Sequence, residues 1–221
     1  DYEGLENWIF NESISSFFSN IGFDYSQIKS NPVNNFVVHS ANKDPLLVDS
    51  KEPFFYLVKR GDKNNDFDNQ LYQQCKDVGV EFRFNTTASD KCEIVSTGTR
   101  KASAYINGSS FRTSQKNQVH LLLGHEFSPK GYAYLIIHNG YGTIATAFKK
   151  VKNTKHNYLN NCKKYFRELD IDISNEQDFG SRGSFAFSLS RISLPLQIGE
   201  AGGFQAYLFG FGMKMSMVSG L

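Results

Sequence analysis

Residues 104–148 hold several runs that read as strands and none that reads as a helix. "VHLLLGHEF", "GYAYLIIHNG" and "YGTIATAFKK" are rich in β-branched, aromatic and apolar residues and are divided by Gly, Asn and Pro. Runs so closely spaced pair as an antiparallel meander. Any fold for this chain must build a sheet from that stretch.

The flanking sequence follows a different grammar. "NNFVVHSA" and "PFFYLVKRG" are strand-like, each bounded by Pro, Asn or Gly. In "DFDNQLYQQCKDVG", Phe67, Leu71, Cys75 and Val78 fall on one helical face, and Gly79 supplies a C-terminal stop. "VEFRFNTT" and "CEIVSTG" resume as strands, so the order predicts a βαβ unit with a covering helix. A helix is also predicted over residues 13–21, with Asn11 or Ser13 as N-cap and Ile14, Phe17, Phe18 and Ile21 on its apolar side. "HNYLNNCKKYFRELDI" predicts another, with Tyr158, Leu159, Cys162, Phe166 and Leu169 on one face. "SFAFSLSRISLPLQIGEAG" returns as strand, and Met213 opens a last helix. The expected class is α/β, in the α+β mixture that joins a parallel-type part to an antiparallel sheet. No internal repeat is visible.

Composition narrows the function. The 221 residues suit one large domain or two small ones. The net charge is +2, and the densest basic group, Lys149, Lys150, Lys152 and Lys155, reads as a solvated loop, so nucleic acid is not an expected partner. The 20 Phe and 11 Tyr either fill a core or line a large apolar cavity. Three dispersed cysteines, Cys75, Cys92 and Cys162, fit a reduced, cytoplasmic setting. No apolar run of about 18 residues is present, and no signal peptide. A chain that opens on Asp1 and stops at "SGL" within a helical run is expected to be a piece of something longer.

One stretch points to a ligand. "LQIGEAGG" and "GFGMKMSMVSG" read as strand, glycine turn and helix start. Gly199, Gly202, Gly210 and Gly212 leave the backbone open to close approach, and a helix beginning at Met213 offers N–H groups to a phosphate. Glu200, beside Ala201, is placed to accept hydrogen bonds from ribose hydroxyls. The same residues also suit a tight strand–helix turn with a surface Glu, and spacing does not decide between the two. Gly98, closing "STG", marks either a ligand approach or a strand end. Arg60, at the end of a strand, suits a phosphate or a flavin edge, or a plain surface turn. The spacing of His120, His125 and His138 suits no metal motif, so satisfied or solvent-facing histidines are expected. No Ser-His-Asp order or GxSxG elbow supports a hydrolase.

Taken in order, these segments resemble the FAD-dependent oxidoreductases of the geranylgeranyl reductase type, within the class similar to p-hydroxybenzoate hydroxylase. "YLVKRG" followed by "FDNQLYQQCKDVGVEFRF" resembles the family's strand–Arg–helix segment, with Arg60, Phe67, Asp68 and Leu71 in place. "EIVSTGTR" resembles its strand ending in Ala-Thr-Gly, with Ser96 for the alanine. "IGEAGGFQAYLFGFGMKMSMVSG" looks like the second flavin motif, with Glu200 for the usual Asp and Gly202 for the second Ala. "GYAYLIIHNGYG" resembles the substrate-side motif Tyr-x-Trp-x-Phe-Pro-x-x-Gly. Tyr132 and Gly140 agree with it, while Tyr134, Ile136 and Ile137 replace Trp, Phe and Pro. "GLENW" is similar to the segment after the first nucleotide-binding element.

The resemblance implies a partial, Rossmann-like FAD-binding domain over 1–103 and 185–221, with an antiparallel substrate domain over 104–184. It implies FAD near Arg60, Gly98, Gly199, Glu200, Ala201, Gly202, Gly210, Gly212 and Met213, and substrate near Tyr132 and Tyr134. NAD(P)H or another reductant is the expected electron donor, and an apolar substrate such as an isoprenoid or another lipid is expected, reached from the cytoplasm or a membrane surface. No catalytic acid or base is implied. The family's GxGxxG unit is absent here and would lie before Asp1, and the last helix would run past Leu221. A lipid-binding module without redox activity is the alternative.

Overall fold

The computed structural model describes residues 2–7, 12–41, 43–87, 92–98, 102–149, 157–184, 193–206 and 210–221. They form a mixed α/β fold in two compact units. One contains the described residues within 34–52 and 101–186, the other those within 2–33, 53–100 and 187–221.

The first unit is built on one seven-stranded sheet. Its strands are β3 (Asn35–Ser40), β4 (Lys43–Asp49), β7 (Ala104–Arg112), β8 (Gln118–Leu123), β9 (Tyr132–His138), β10 (Tyr141–Lys149) and β11 (Gln177–Gly183). They run in the order β11-β7-β10-β9-β8-β3-β4. Every neighbouring pair is antiparallel except β3 and β8. The expected meander over β8, β9 and β10 is present. Asn139 and Gly140, both at positive φ, turn β9 into β10. Alternation along β9 sends Ala133, Leu135 and Ile137 to one face and Tyr132, Tyr134 and Ile136 to the other. The first face packs on α3 (Tyr158–Arg167), where Leu159, Cys162 and Phe166 join Phe111, Leu122, Phe127, Leu135, Ile137 and Ile144 in the core. Asn157 caps α3 by accepting from the Asn160 N–H at 3.1 Å. The expected apolar face of α3 holds for those three residues, while Leu169 lies beyond the helix end and is exposed.

In the second unit, β1 (Tyr2–Glu6), β5 (Phe55–Lys59) and β2 (Ser30–Val33) form an antiparallel sheet with β5 in the middle. On it pack α1 (Ile14–Asn20), a 3₁₀ turn (Tyr25–Gln27) and α2 (Phe67–Asp77). Leu5, Ile14, Phe17, Phe18, Phe23, Ile28, Val58 and Phe67 make the core, and the Phe18 ring stacks on Tyr25 with centroids 4.5 Å apart. Ser13 is the N-cap of α1, accepting from the Ser16 N–H at 3.1 Å; Asn11 lies outside the described residues. A separate parallel pair joins β6 (Ile94–Val95) to β12 (Leu196–Gln197), followed by the single turn α4 (Gly199–Gly202) and by α5 (Met213–Val218).

Three expectations change. β3 and β4, placed by sequence with the flavin part, hydrogen bond into the large sheet through β8. The predicted βαβ unit is not closed among the described residues: there β5 pairs only with antiparallel β1 and β2, and "VEFRF" is not a strand. Its alternation lacks a partner ladder, so Phe82 and Phe84 lie against Tyr72 of α2, with centroids 4.7 and 5.9 Å away. Likewise α2 buries only Phe67 fully, and Val78, expected on the same face, is 80% exposed. β11 was not anticipated because "QDFGSRG" is polar and glycine-bearing, and it pairs only along β7 at the sheet edge. Of the predicted strand over residues 184–202, residues 185–192 lie outside the described residues, as do Lys150, Lys152 and Lys155.

Candidate functional site

The parallel pair brings two glycine turns together. β6 runs into Ser96 and Gly98, and β12 runs into Gly199 and α4. Gly98 and Gly199 have φ of +73° and +58°, which a side chain would strain. A Cβ on Gly98 would stand 3.9 Å from Glu200 Oε2, so the Glu200 carboxylate lies over the Gly98 turn. The Gly199 N–H donates to Ser219 Oγ at 2.8 Å, and that hydroxyl donates to the Ser216 carbonyl at 2.7 Å. A Cβ on Gly199 would also come within 3.4 Å of Ser216 Oγ and 3.5 Å of Ser96 Oγ. Ser219 therefore holds the turn that carries Glu200, and Ser216 and Ser96 line it. Gly202 is obligatory for packing: a Cβ there would collide with the Gln197 carbonyl and the Phe204 ring. Ala201 completes the turn of α4, which Gly203 closes in the left-handed region.

The loop into α5 is held by its own backbone, with Ala206 N–H donating to the Phe211 carbonyl at 2.6 Å and Gly210 N–H to the Ala206 carbonyl at 2.8 Å. Gly212 is the N-cap of α5 in extended backbone, so its need for glycine is not conformational. Gln205 Nε2 is buried without a hydrogen-bond partner, a donor without an acceptor in this loop.

The start of α5 differs from expectation. The Lys214 and Met215 N–H groups, which sequence offered to a phosphate, donate to Glu6 Oε1 of β1 at 2.9 and 3.3 Å. Glu6 is fully buried, and burial raises its carboxyl above the usual range against the lowering effect of these bonds. Glu6 carried no local signal, since its partners lie 208 and 209 residues away.

Arg60 is committed to carboxylates. Its Nε contacts both Asp68 oxygens at 2.9 and 2.7 Å, its Nη2 contacts Asp68 Oδ1 at 2.6 Å, and its Nη1 pairs with Glu3. The fork ties β5 to α2 and β1. Burial works to raise the Asp68 carboxyl, but the Arg60 hydrogen bonds and the Gly61 N–H outweigh it and hold the group below its usual range.

Tyr132 and Tyr134 stand side by side on β9, with ring centroids 6.3 Å apart. Pairing sets Leu121, Ala145 and Ala147 on their face of the sheet, opposite α3. There Leu121, Tyr132 and Tyr134 are half-buried and Ala145 and Ala147 fully buried, and burial pushes the Tyr132 phenol up.

The structure thus gathers Gly98, Gly199, Glu200, Ala201 and Gly202 at one strand-end turn. It sets Gly210, Gly212 and Met213 in the following loop and helix start, and it places Tyr132 and Tyr134 together in the other unit. Sequence reading missed Ser216, Ser219 and Glu6 as supports, and Gln205 as a buried donor. Only the i, i+3 spacing of the two serines was available as a signal.

No family model and no curated protein matches the chain by sequence. Solved structures share its fold. A geranylgeranyl bacteriochlorophyll reductase-like protein from Thermoplasma acidophilum matches with a TM-score of 0.66 at 17% identity, over 99% of this chain and 65% of that one. The peptidyl tryptophan dihydroxylase QhpG, essential for tryptophylquinone cofactor biogenesis, matches with a TM-score of 0.58 at 11% identity, over 91% of this chain and 52% of that one. FqzB matches with a TM-score of 0.55 at 10% identity, over 86% and 58%. The chain spans less than two thirds of the length of each.

Proposed function

We propose that this chain is part of a flavin-dependent oxidoreductase, with FAD at the Gly98–Glu200 turn and an apolar substrate, isoprenoid or other lipid, against the tyrosine-bearing sheet face. The carrying observation is the convergence of two parallel strand ends on glycines with a carboxylate between them. The fold shared with a reductase-like protein and the order of the sequence motifs support the reading.

The residues present fit such a group in part. Glu200 carries a carboxylate that accepts from sugar or ribityl hydroxyls, Gly98 leaves the space a Cβ would fill, and Gln205 Nε2 is a buried donor without a partner. The first-turn amides of α5 given to Glu6 are not available to a phosphate. A bound flavin would supply the hydride chemistry, with NAD(P)H as donor. The protein's part is to hold Glu200 through Ser219 and Gly199, and to offer Tyr132, Tyr134, Ile136 and Leu121 as a dry surface for substrate. In this reading the protein works in the cytoplasm or at the surface of a membrane. Among the described residues no helix is long and apolar enough to cross one.

The test is flavin binding by the full-length protein. Purified protein is expected to be yellow, to bind FAD and to have its flavin bleached by NAD(P)H. Glu200→Ala is expected to weaken FAD about tenfold, the worth of one charge-assisted hydrogen bond. A colourless protein that takes up no FAD removes the flavin reading. If the same protein binds a fluorescent fatty acyl probe, the second reading holds: an apolar-ligand binder, favoured by the apolar sheet face and by the commitment of Arg60 to Asp68 and Glu3.

A further inference from the structure

In the first unit, a chain of buried hydrogen bonds lies outside the candidate site. His39 on β3 and His120 on β8 are 3% and 9% exposed, with His39 Nε2 at 2.8 Å from His120 Nδ1. His120 Nε2 lies 2.8 Å from Gln118 Oε1, and His39 Nδ1 lies 3.1 Å from the Tyr165 hydroxyl of α3.

The ends of the chain set its protons. Gln118 Nε2 donates to the Lys116 carbonyl at 3.3 Å, so its Oε1 accepts and His120 carries hydrogen on Nε2. His120 Nδ1 is then a lone pair, which accepts the Nε2–H of His39. His39 Nδ1 in turn accepts the O–H of Tyr165. Both rings are neutral, and every polar ring atom is satisfied.

This chain crosses a weak junction. Among the described residues the β3–β4 hairpin joins the sheet only through β8, by the parallel pairing of residues 37–40 with 120–123. By contrast, β10 pairs with β7 along the whole of Tyr141–Lys149. We propose that Gln118, His120, His39 and Tyr165 form an acid-sensitive latch that fastens the β3–β4 hairpin to the sheet and to α3, and that releases when both imidazoles are protonated.

One added proton is absorbed by reversing the chain. His120 then donates from Nδ1, His39 moves its hydrogen to Nδ1, and the Tyr165 oxygen accepts. A second proton sets two N–H groups against each other across 2.8 Å. Around the pair, α3 contributes Tyr165 and Phe166, and β9 sets Leu135 opposite His120. β4 sets Lys43 opposite Ser40 with Asp44 in the adjoining bulge, both exposed. Among the described residues no carboxylate hydrogen bonds either ring. Burial lowers the affinity of both rings for a proton, and His39 repels charge on His120, holding that ring at about 4.

The sign follows from linkage. An opened junction lets both rings titrate near 6.5, so the open state binds more protons below that pH. The junction holds above about pH 6.5 and weakens as pH falls toward 4, by up to about tenfold in the opening equilibrium per pH unit and ring. Amide exchange of the folded protein at pH 7.5, 6.0 and 5.0, corrected for intrinsic rates, reads this directly. Protection of residues 37–40 is expected to fall about tenfold or more between pH 6.0 and 5.0, relative to residues 144–147 of β10. In His39→Gln/His120→Gln that ratio is expected to stay flat. A constant wild-type ratio, or a variant with the wild-type slope, overturns the proposal. Imidazole nitrogen NMR of the unmodified protein is a second measurement, independent of how the variant folds. Hydrogen on Nε2 of both rings and titration below 6.5 support the latch, and a ring that titrates at 6.5 or above sinks it.

Discussion

The two units use similar residues and handle them differently. In the first, the inner strands β7, β10, β9 and β8 have neighbours on both sides and alternation is converted into burial: Leu135, Ile137 and Ile144 are 0% exposed, whereas the edge strand β4 leaves Leu46 and Leu47 exposed. In the second, a three-stranded sheet and a two-residue parallel pair leave apolar residues without cover. Val80, Phe84, Ile94 and Leu196 are all exposed. Antiparallel strands close locally through hairpins, whereas a parallel ladder needs crossovers and neighbours on both sides. An apolar period of two becomes a strand only where a partner strand meets it.

That contrast can be broken at its strong end first. Phe166→Ala removes a fully buried ring between α3 and the sheet and is expected to cost about 3–5 kcal/mol, read as a lower urea midpoint. A loss below about 1 kcal/mol would show that the first unit is not the better packed of the two. Next comes the second unit's long-range tie. Glu6→Ala strips the acceptor from the Lys214 and Met215 amides, with an expected cost of about 2–3 kcal/mol and faster exchange of both amides. An unchanged exchange rate would mean that α5 is held by packing alone. The smallest effect belongs to the uncovered surface. Phe84→Ser is expected to change stability by less than about 0.5 kcal/mol while raising solubility, because the ring is 69% exposed. A large destabilisation there would show that the Phe82–Phe84–Tyr72 cluster carries real packing energy.

The sequence was legible wherever period and punctuation agreed. Ser13 and the spacing of Ile14, Phe17 and Phe18 marked α1, and Leu159, Cys162 and Phe166 marked α3. Asn139 and Gly140 between β9 and β10 marked the hairpin. At the candidate site, Gly98, Gly199 and Glu200 were legible as a strand-end turn, and the structure brings them together. The supports were not legible, because Ser219 reaches Gly199 from 20 residues on. Nor was the commitment of Arg60: sequence named it and Asp68 as neighbours on a motif, but a charged fork reads the same whether it meets a carboxylate of its own chain or a phosphate.

By itself the sequence determined the helices α1, α2, α3 and α5, the meander β8, β9 and β10, and where glycine turns the backbone, but not β7 or α4, since caps, periods of 3.6 and 2, and positive φ act over a few residues. Only the tertiary structure decided which strands meet. It drew β3 beside β8 as a parallel neighbour, left "VEFRF" without a ladder, and set the buried Glu6 carboxylate on the first turn of α5. Those outcomes depend on partners tens to hundreds of residues away, whose hydrogen bonds and burial no local pattern encodes.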